Sequence, residues 1–199
     1  LLPAPGEEPA GDEVVALRTA TTRTFETDVP GVFVTEQFTA PVNVEAGGGW
    51  GPLDPTPQAG GGSGGNTPNR VDVAVAGTAD AEELAAVTLP AGASVGFALD
   101  GAVGVEADVD GDTAVFTDAI DGVDVTLQSV PGGVKETLVL ASPGSPSEFT
   151  FDLSLEGLSA ETAEDGSVRF VNAAGGAKVA IPAGVMGDAA GGRPGGARG

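Results

Sequence analysis

Val123-Asp124-Val125-Thr126-Leu127-Gln128-Ser129-Val130-Pro131-Gly132-Gly133-Val134-Lys135-Glu136-Thr137-Leu138-Val139-Leu140 is the stretch that decides the fold. It reads as two short strands, 123 to 129 and 134 to 140, rich in Val, Leu and Thr. Pro131-Gly132-Gly133 separates them, and glycine there supplies the positive φ that a hairpin turn requires. The stretch is therefore an antiparallel hairpin. Asp165-Gly166 and Gly175-Gly176 stand at equivalent points beside the apolar runs Val168 to Val171 and Ala177 to Ile181, which gives two further hairpins.

Outward from this hairpin the same punctuation continues. Val95 to Leu99, Ala102 to Val109 and Thr113 to Phe116 precede it and Phe149 to Leu155 follows, at a spacing of about 8 to 12 residues per strand, which suits a sandwich or meander. Val71, Val73 and Val75 alternate with Asp72, Ala74 and Ala76, the period-2 signature of a half-buried strand. Nearer the start, Val14, Ala16 and Leu17 begin a short strand. Val32 to Phe38 forms another after the Pro30-Gly31 turn, and Val42 to Glu45 a third that ends at Gly47-Gly48-Gly49. The one helical segment expected is Ala79 to Ala86, with Asp80 placed to cap the Glu82-Glu83-Leu84 turn; it is too short to define a helical layer. The expected fold class is all-β, an antiparallel sandwich-like assembly of many short strands and hairpins with at most one short helix.

Composition agrees with small, turn-rich β structure. Hydrophobic residues make up 41% of 199, mostly Val, Ala and Leu, with eight Phe, one Trp and no Tyr, so the core is built from small and β-branched pieces. The 33 Gly and 15 Pro are roughly twice average usage and fall between the apolar runs. Residues 1–12, Pro-, Glu- and Gly-rich, read as a flexible lead-in; 13–188 form the β-rich region; the tail 189–199 is expected to be disordered. The Gly-rich run near 58–69 reads as an insertion or a linker, which leaves open one β domain or two subdomains. The chain begins Leu1-Leu2-Pro3-Ala4 with neither an initiator Met nor a basic leader, and it reads as a piece of a longer exported precursor.

A net charge of −21, with two Lys and six Arg, repels phosphate backbones and anionic lipid, so nucleic acid and membrane surfaces are poor partners. No run of 18 apolar residues is present, and membrane insertion is not expected. The acidity itself reads as solubility in an exported or salt-exposed protein, with cation binding or attraction to a basic partner as the alternatives. With no cysteine, stability comes from burial rather than disulfides.

The chain has no histidine and no cysteine, which removes Ser-His-Asp and Cys-His nucleophilic sites and the usual zinc sets. A Ser-Lys pair would need Lys135 or Lys178, and both lie in predicted strands, where a solvent-facing lysine is the plain reading. Counting leaves paired carboxylates open, but glycoside hydrolysis uses clefts with aromatic platforms, and one Trp with no Tyr argues against it. Gly60 to Gly65 lacks the Lys-Ser/Thr ending of a phosphate loop. Metal chemistry centres on Asp108-Val109-Asp110-Gly111-Asp112, where Asp108, Asp110 and Asp112 alternate around a glycine turn and offer a hard cation such as calcium several oxygens. No distal acid follows at calcium-loop spacing, and Asp-Gly is also ordinary hairpin punctuation. Asp118, Asp121 and Asp124 would add ligands if the fold brought them near. Trp50 reads as a plug at a core edge or, alternatively, as a sugar-stacking platform.

Several phrases, in order, resemble the amino-terminal β region of large secreted bacterial YD-repeat (RHS) proteins of the wall-associated and polymorphic-toxin type. They are Glu13 to Ala20 with Thr24-Phe25; Pro41-Val42 followed by Trp50 and Leu53-Asp54; Gly122-Val123-Asp124; Gly133 to Leu140; Phe149-Thr150-Phe151; Leu158-Ser159-Ala160; Asp165-Gly166-Ser167; and Ile181-Pro182-Ala183. The chain departs from that pattern after Ile181-Pro182-Ala183, where Gly184-Val185-Met186 replaces an aromatic and a second proline. It departs again before Trp50, where Val44 and Ala46 stand at aromatic positions. The resemblance implies a non-catalytic scaffold domain, secreted or associated with the cell wall, that packs on the repeat region or neighbouring β modules of its parent chain. It carries no catalytic residues and no cofactor over to this chain. The alternative is a module that binds cell-wall glycan or a surface protein, with calcium as a stabilising ion.

Overall fold

The computed structural model describes residues 11–46, 48–56, 58, 59 and 69–187. The lead-in up to residue 10, the Gly-rich run 60–68 and the tail from 188 lie outside those residues. Along the chain the strands are β1 (Thr22–Glu26), β2 (Phe33–Gln37), β3 (Asn43–Ala46), β4 (Gly49–Pro52), β5 (Gln58–Ala59), β6 (Asp72–Val75), β7 (Ala85–Thr88) and β8 (Ser94–Leu99). They continue as β9 (Asp108–Asp110), β10 (Thr113–Ile120), β11 (Val123–Val130), β12 (Gly133–Leu140), β13 (Phe151–Glu156), β14 (Ser159–Thr162), β15 (Val168–Val171) and β16 (Ala177–Ile181).

The hairpin of β11 and β12 runs in unbroken register from Val123 opposite Leu140 to Val130 opposite Gly133. Its turn is made by Pro131, whose ring fixes φ for the first corner, and Gly132, whose φ of 94° only glycine adopts freely. This hairpin forms half of a four-stranded sheet ordered β12-β11-β10-β9; a five-stranded sheet is ordered β13-β8-β7-β6-β5. All pairings in both are antiparallel except the short one between β5 and β6.

The two sheets bury one face each against the other. On β11 the inward positions Val123, Val125, Leu127 and Ser129 are fully buried while the alternate residues are only half-buried. Ala114, Phe116, Ala119, Val125 and Leu127 of the first sheet share a single apolar cluster with Val73, Val75, Ala85, Val87 and Leu99 of the second. That shared core makes the arrangement a sandwich. Phe97 and Phe151 extend it edge-to-face, with ring centroids 5.8 Å apart. Smaller antiparallel sheets flank it: β1-β2, β3-β4 and β14-β15-β16. The hairpins expected at Asp165-Gly166 and Gly175-Gly176 join β14 to β15 and β15 to β16, with Gly166 and Gly175 at positive φ.

Three local expectations are corrected. Ala79 to Ala86 is not helical: Ala79, Leu84 and Ala85 are buried, and the Leu84 amide bonds to Phe97 O at 2.7 Å. An eight-residue segment cannot offset helix nucleation, and sheet pairing wins. Ala102 to Val109 is mostly irregular. Gly101 turns the chain, Val103 N bonds to Ala119 O, and pairing resumes with the Thr78–Glu106 bridge and β9. Val15–Leu17 is a 3-10 turn rather than the start of a strand. Strands β1, β4, β7 and β14 were not expected, because their Thr-, Gly- and Ala-rich sequences carry little apolar alternation, nor was β5, which falls at the start of the run read as an insertion or linker and is held by pairing with β6.

The segment before β1 belongs to the folded structure from residue 11 onward. Val14 N bonds to Thr24 O and Glu26 N to Asp12 O, so it lies antiparallel along β1. Arg18 then clamps it, with Nε and Nη2 each 2.6 Å from a Glu13 carboxylate oxygen and Nη1 3.2 Å from Trp50 O. Buried Asn43 places its Nδ2 between Thr19 O (2.8 Å) and Thr22 O (3.0 Å), tying β3 to the turn before β1.

Candidate functional site

The acidic run forms the β9–β10 connection. Asp110 pairs with Thr113, so Gly111 and Asp112 are a two-residue turn, and Gly111 takes the positive φ of 57°. Period-2 geometry puts Asp108 and Asp110 on the same side of β9, both exposed. Asp112 is engaged otherwise: its Oδ1 accepts from the Thr113 hydroxyl at 2.8 Å, and both its oxygens lie 3.4 Å from Gln128 Nε2. Among the described residues, no group of three or more Asp, Glu, His or Cys side chains could hold a metal ion. Asp108 and Asp110 thus stand together on β9, while the Asp112 carboxylate is taken up by contacts beside the turn.

Asp118 and Asp124 do meet, in a different role. Between Phe116 and Ile120 the β10–β11 register shifts, four steps on β10 facing two on β11. Asp118 sits in this bulge at φ 52°, the one positive-φ non-glycine among the described residues, and its amide donates to Asp124 Oδ1 at 2.8 Å. The Asp124 carboxylate thereby holds the left-handed backbone that turns Ala119 into the core.

The other sequence candidates are dispersed. Lys135 and Lys178 are exposed on their strands. Trp50 is half-buried on β4, and its carbonyl takes the Arg18 contact described above.

A residue the sequence reading passed over is the most unusual ionisable group in the fold. On β12, Val134, Glu136 and Leu138 alternate toward the interior, and Val134 and Leu138 pack on the central core. Glu136 lies between them, opposite fully buried Leu127, with Oε1 buried and without a hydrogen-bond partner. Burial pushes its carboxyl from 4.5 up to about 7. The alternation of Val134 and Leu138 around a Glu is visible in the sequence and would have flagged it. No family model matches this chain, and comparisons with curated proteins and with solved structures find no match.

Proposed function

We propose that this chain is a non-catalytic β-sandwich support module of a large secreted YD-repeat-type protein, at the cell surface or wall, that packs on the repeat region or a neighbouring β module. The observation that carries this reading is the pair of strands that end the two sheets. β12, eight residues long, and β13, six residues long, each stand at the end of their sheet. Exposed Val139 and Leu140 on β12 and Leu153 on β13 accompany those edges. An unpaired strand edge with apolar side chains is the feature to which another β module adds strands. The lack of histidine and cysteine in the chain and the ordered resemblance in its sequence support the same reading.

Amide hydrogen exchange tests it, comparing the 199-residue chain with a longer natural chain that carries the adjoining repeats. Protection of β12 or β13 amides in the longer chain is expected; identical exchange in the two would sink the proposal. Recognition of wall glycan through a sheet face is the competing reading. It has less support, since the single Trp is half-buried, and glycan pull-down separates the two.

A further inference from the structure

Glu136 combines three properties that rarely coincide. Its carboxyl points inward, its Oε1 is buried without a partner, and its strand is the edge of the four-stranded sheet, hydrogen-bonded to β11 alone. We propose that Glu136 is a proton-operated latch: protonated, it lets β12 seat against the core, and ionised, it draws that strand toward water and loosens one edge of the sandwich.

The surrounding side chains give the ionised form no partner, although the half-buried carboxyl keeps its other oxygen outside the buried set. β12 packs against β6 and β7 across the core and pairs with β11. From β11 the inward residues are Val125, Leu127 and Ser129, and its one charged residue, Asp124, is on the other face and bonded to the Asp118 amide. From β6 the inward residues are Val73 and Val75, with Asp72 exposed on the outer face; β7 holds no charged residue. On β12 itself Lys135 is on the opposite, exposed face. Among the described residues no cation is placed to neutralise this carboxylate, and burying an unpaired charge is unfavourable. Relief comes most easily at an edge, since moving β12 breaks one ladder where moving an inner strand breaks two.

The direction of the pH dependence follows. The folded-state value, about 7, lies above the ordinary 4.5, so the native state holds the proton more tightly than the unfolded chain. The stability this gives is complete below about 4.5 and is lost as pH rises through 7. The chain contains no histidine, the usual titrating group in that window.

Carboxyl ¹³C NMR of the Glu-labelled chain and thermal unfolding between pH 6 and 8 test the latch. The Glu136 resonance should titrate with a midpoint near 7, and the unfolding midpoint should fall by roughly 3 to 5 °C across that range. Amide exchange on β12, corrected for intrinsic rate, should accelerate more than on β11. Glu136→Gln should abolish the fall and melt higher than wild type at pH 8. Glu156→Gln, which removes a charge at an exposed position of β13, should keep the slope. A Glu136 midpoint among ordinary carboxyls, or an unchanged slope in Glu136→Gln, overturns the proposal. Should that variant fail to fold, the wild-type resonance and the β12 exchange rates decide it alone.

Discussion

Ser154 on β13 donates its hydroxyl to Glu83 Oε2 directly over Gly96, its own pairing partner on β8. The two side chains close over a central-strand position that has no side chain. A Cβ added at Gly96 would meet both of them, although the residue's φ is one any amino acid can adopt. What Gly96 leaves free is side-chain space rather than backbone freedom, and that space is filled by the ends of two exposed side chains.

Gly96→Val should therefore destabilise the fold by about 1 kcal/mol, the low end of the range for overpacking because the obstructing groups are ends of exposed side chains, as read by urea unfolding. Glu83→Ala removes one of the obstructing groups, so the double variant should recover part of that loss. Strict additivity of the two changes would show that the carboxylate is not the obstacle.

Asn43 makes a second test of packing by polar groups. Asn43→Ala leaves the carbonyls of Thr19 and Thr22 without their buried donor, which is expected to cost about 1 to 3 kcal/mol. Asn43→Asp should be no better, since a carboxylate would face the same two carbonyl oxygens. Unfolding midpoints of the two variants check this, and a neutral Asn43→Ala would mean the turn is held by other contacts.

The Arg18 clamp carries a pH signature opposite to that of Glu136. Hydrogen bonds from Arg18 hold the Glu13 carboxyl below its ordinary value of 4.5, so the associated stability is present above that value and is lost as pH falls through the lower folded one. Arg18→Lys gives up the two-pronged contact, and for a solvent-screened pair the loss should stay within about 1 kcal/mol at neutral pH. The difference between wild type and variant should shrink in acid; a difference that persisted at pH 2 would assign Arg18 a packing role instead.

What the sequence disclosed depended on whether local chemistry and tertiary pairing agreed. The hairpin of β11 and β12 was legible because Pro131 and Gly132 fix both the turn and the register. Ala79 to Ala86 was not, because its capping pattern is local while the bonds that form run from Leu84 to Phe97 and from Ala79 to Val105. Asp118 at positive φ depends on Asp124 across the bulge, a pairing with no local signature. Glu136 was open to detection through its apolar neighbours Val134 and Leu138, but a run ending Leu138-Val139-Leu140 draws attention to its apolar character rather than to the one acid inside it.

The acidic turn supplies the last test. Calcium needs six or more oxygens converging at about 2.3 to 2.6 Å, and ions bound only by the folded state raise its melting midpoint by mass action. Asp112 already accepts from Thr113 and lies beside Gln128, and Asp108 and Asp110 are two exposed carboxylates on one strand. Two such groups give a hard cation at most a weak, water-rich contact. Millimolar calcium is therefore expected to leave the melting midpoint where chelator leaves it, in both the native chain and Asp108→Asn/Asp110→Asn. A calcium-dependent rise in the native chain that the double variant loses would show that the β9 carboxylates recruit further ligands on binding, and would make calcium part of the fold's stability.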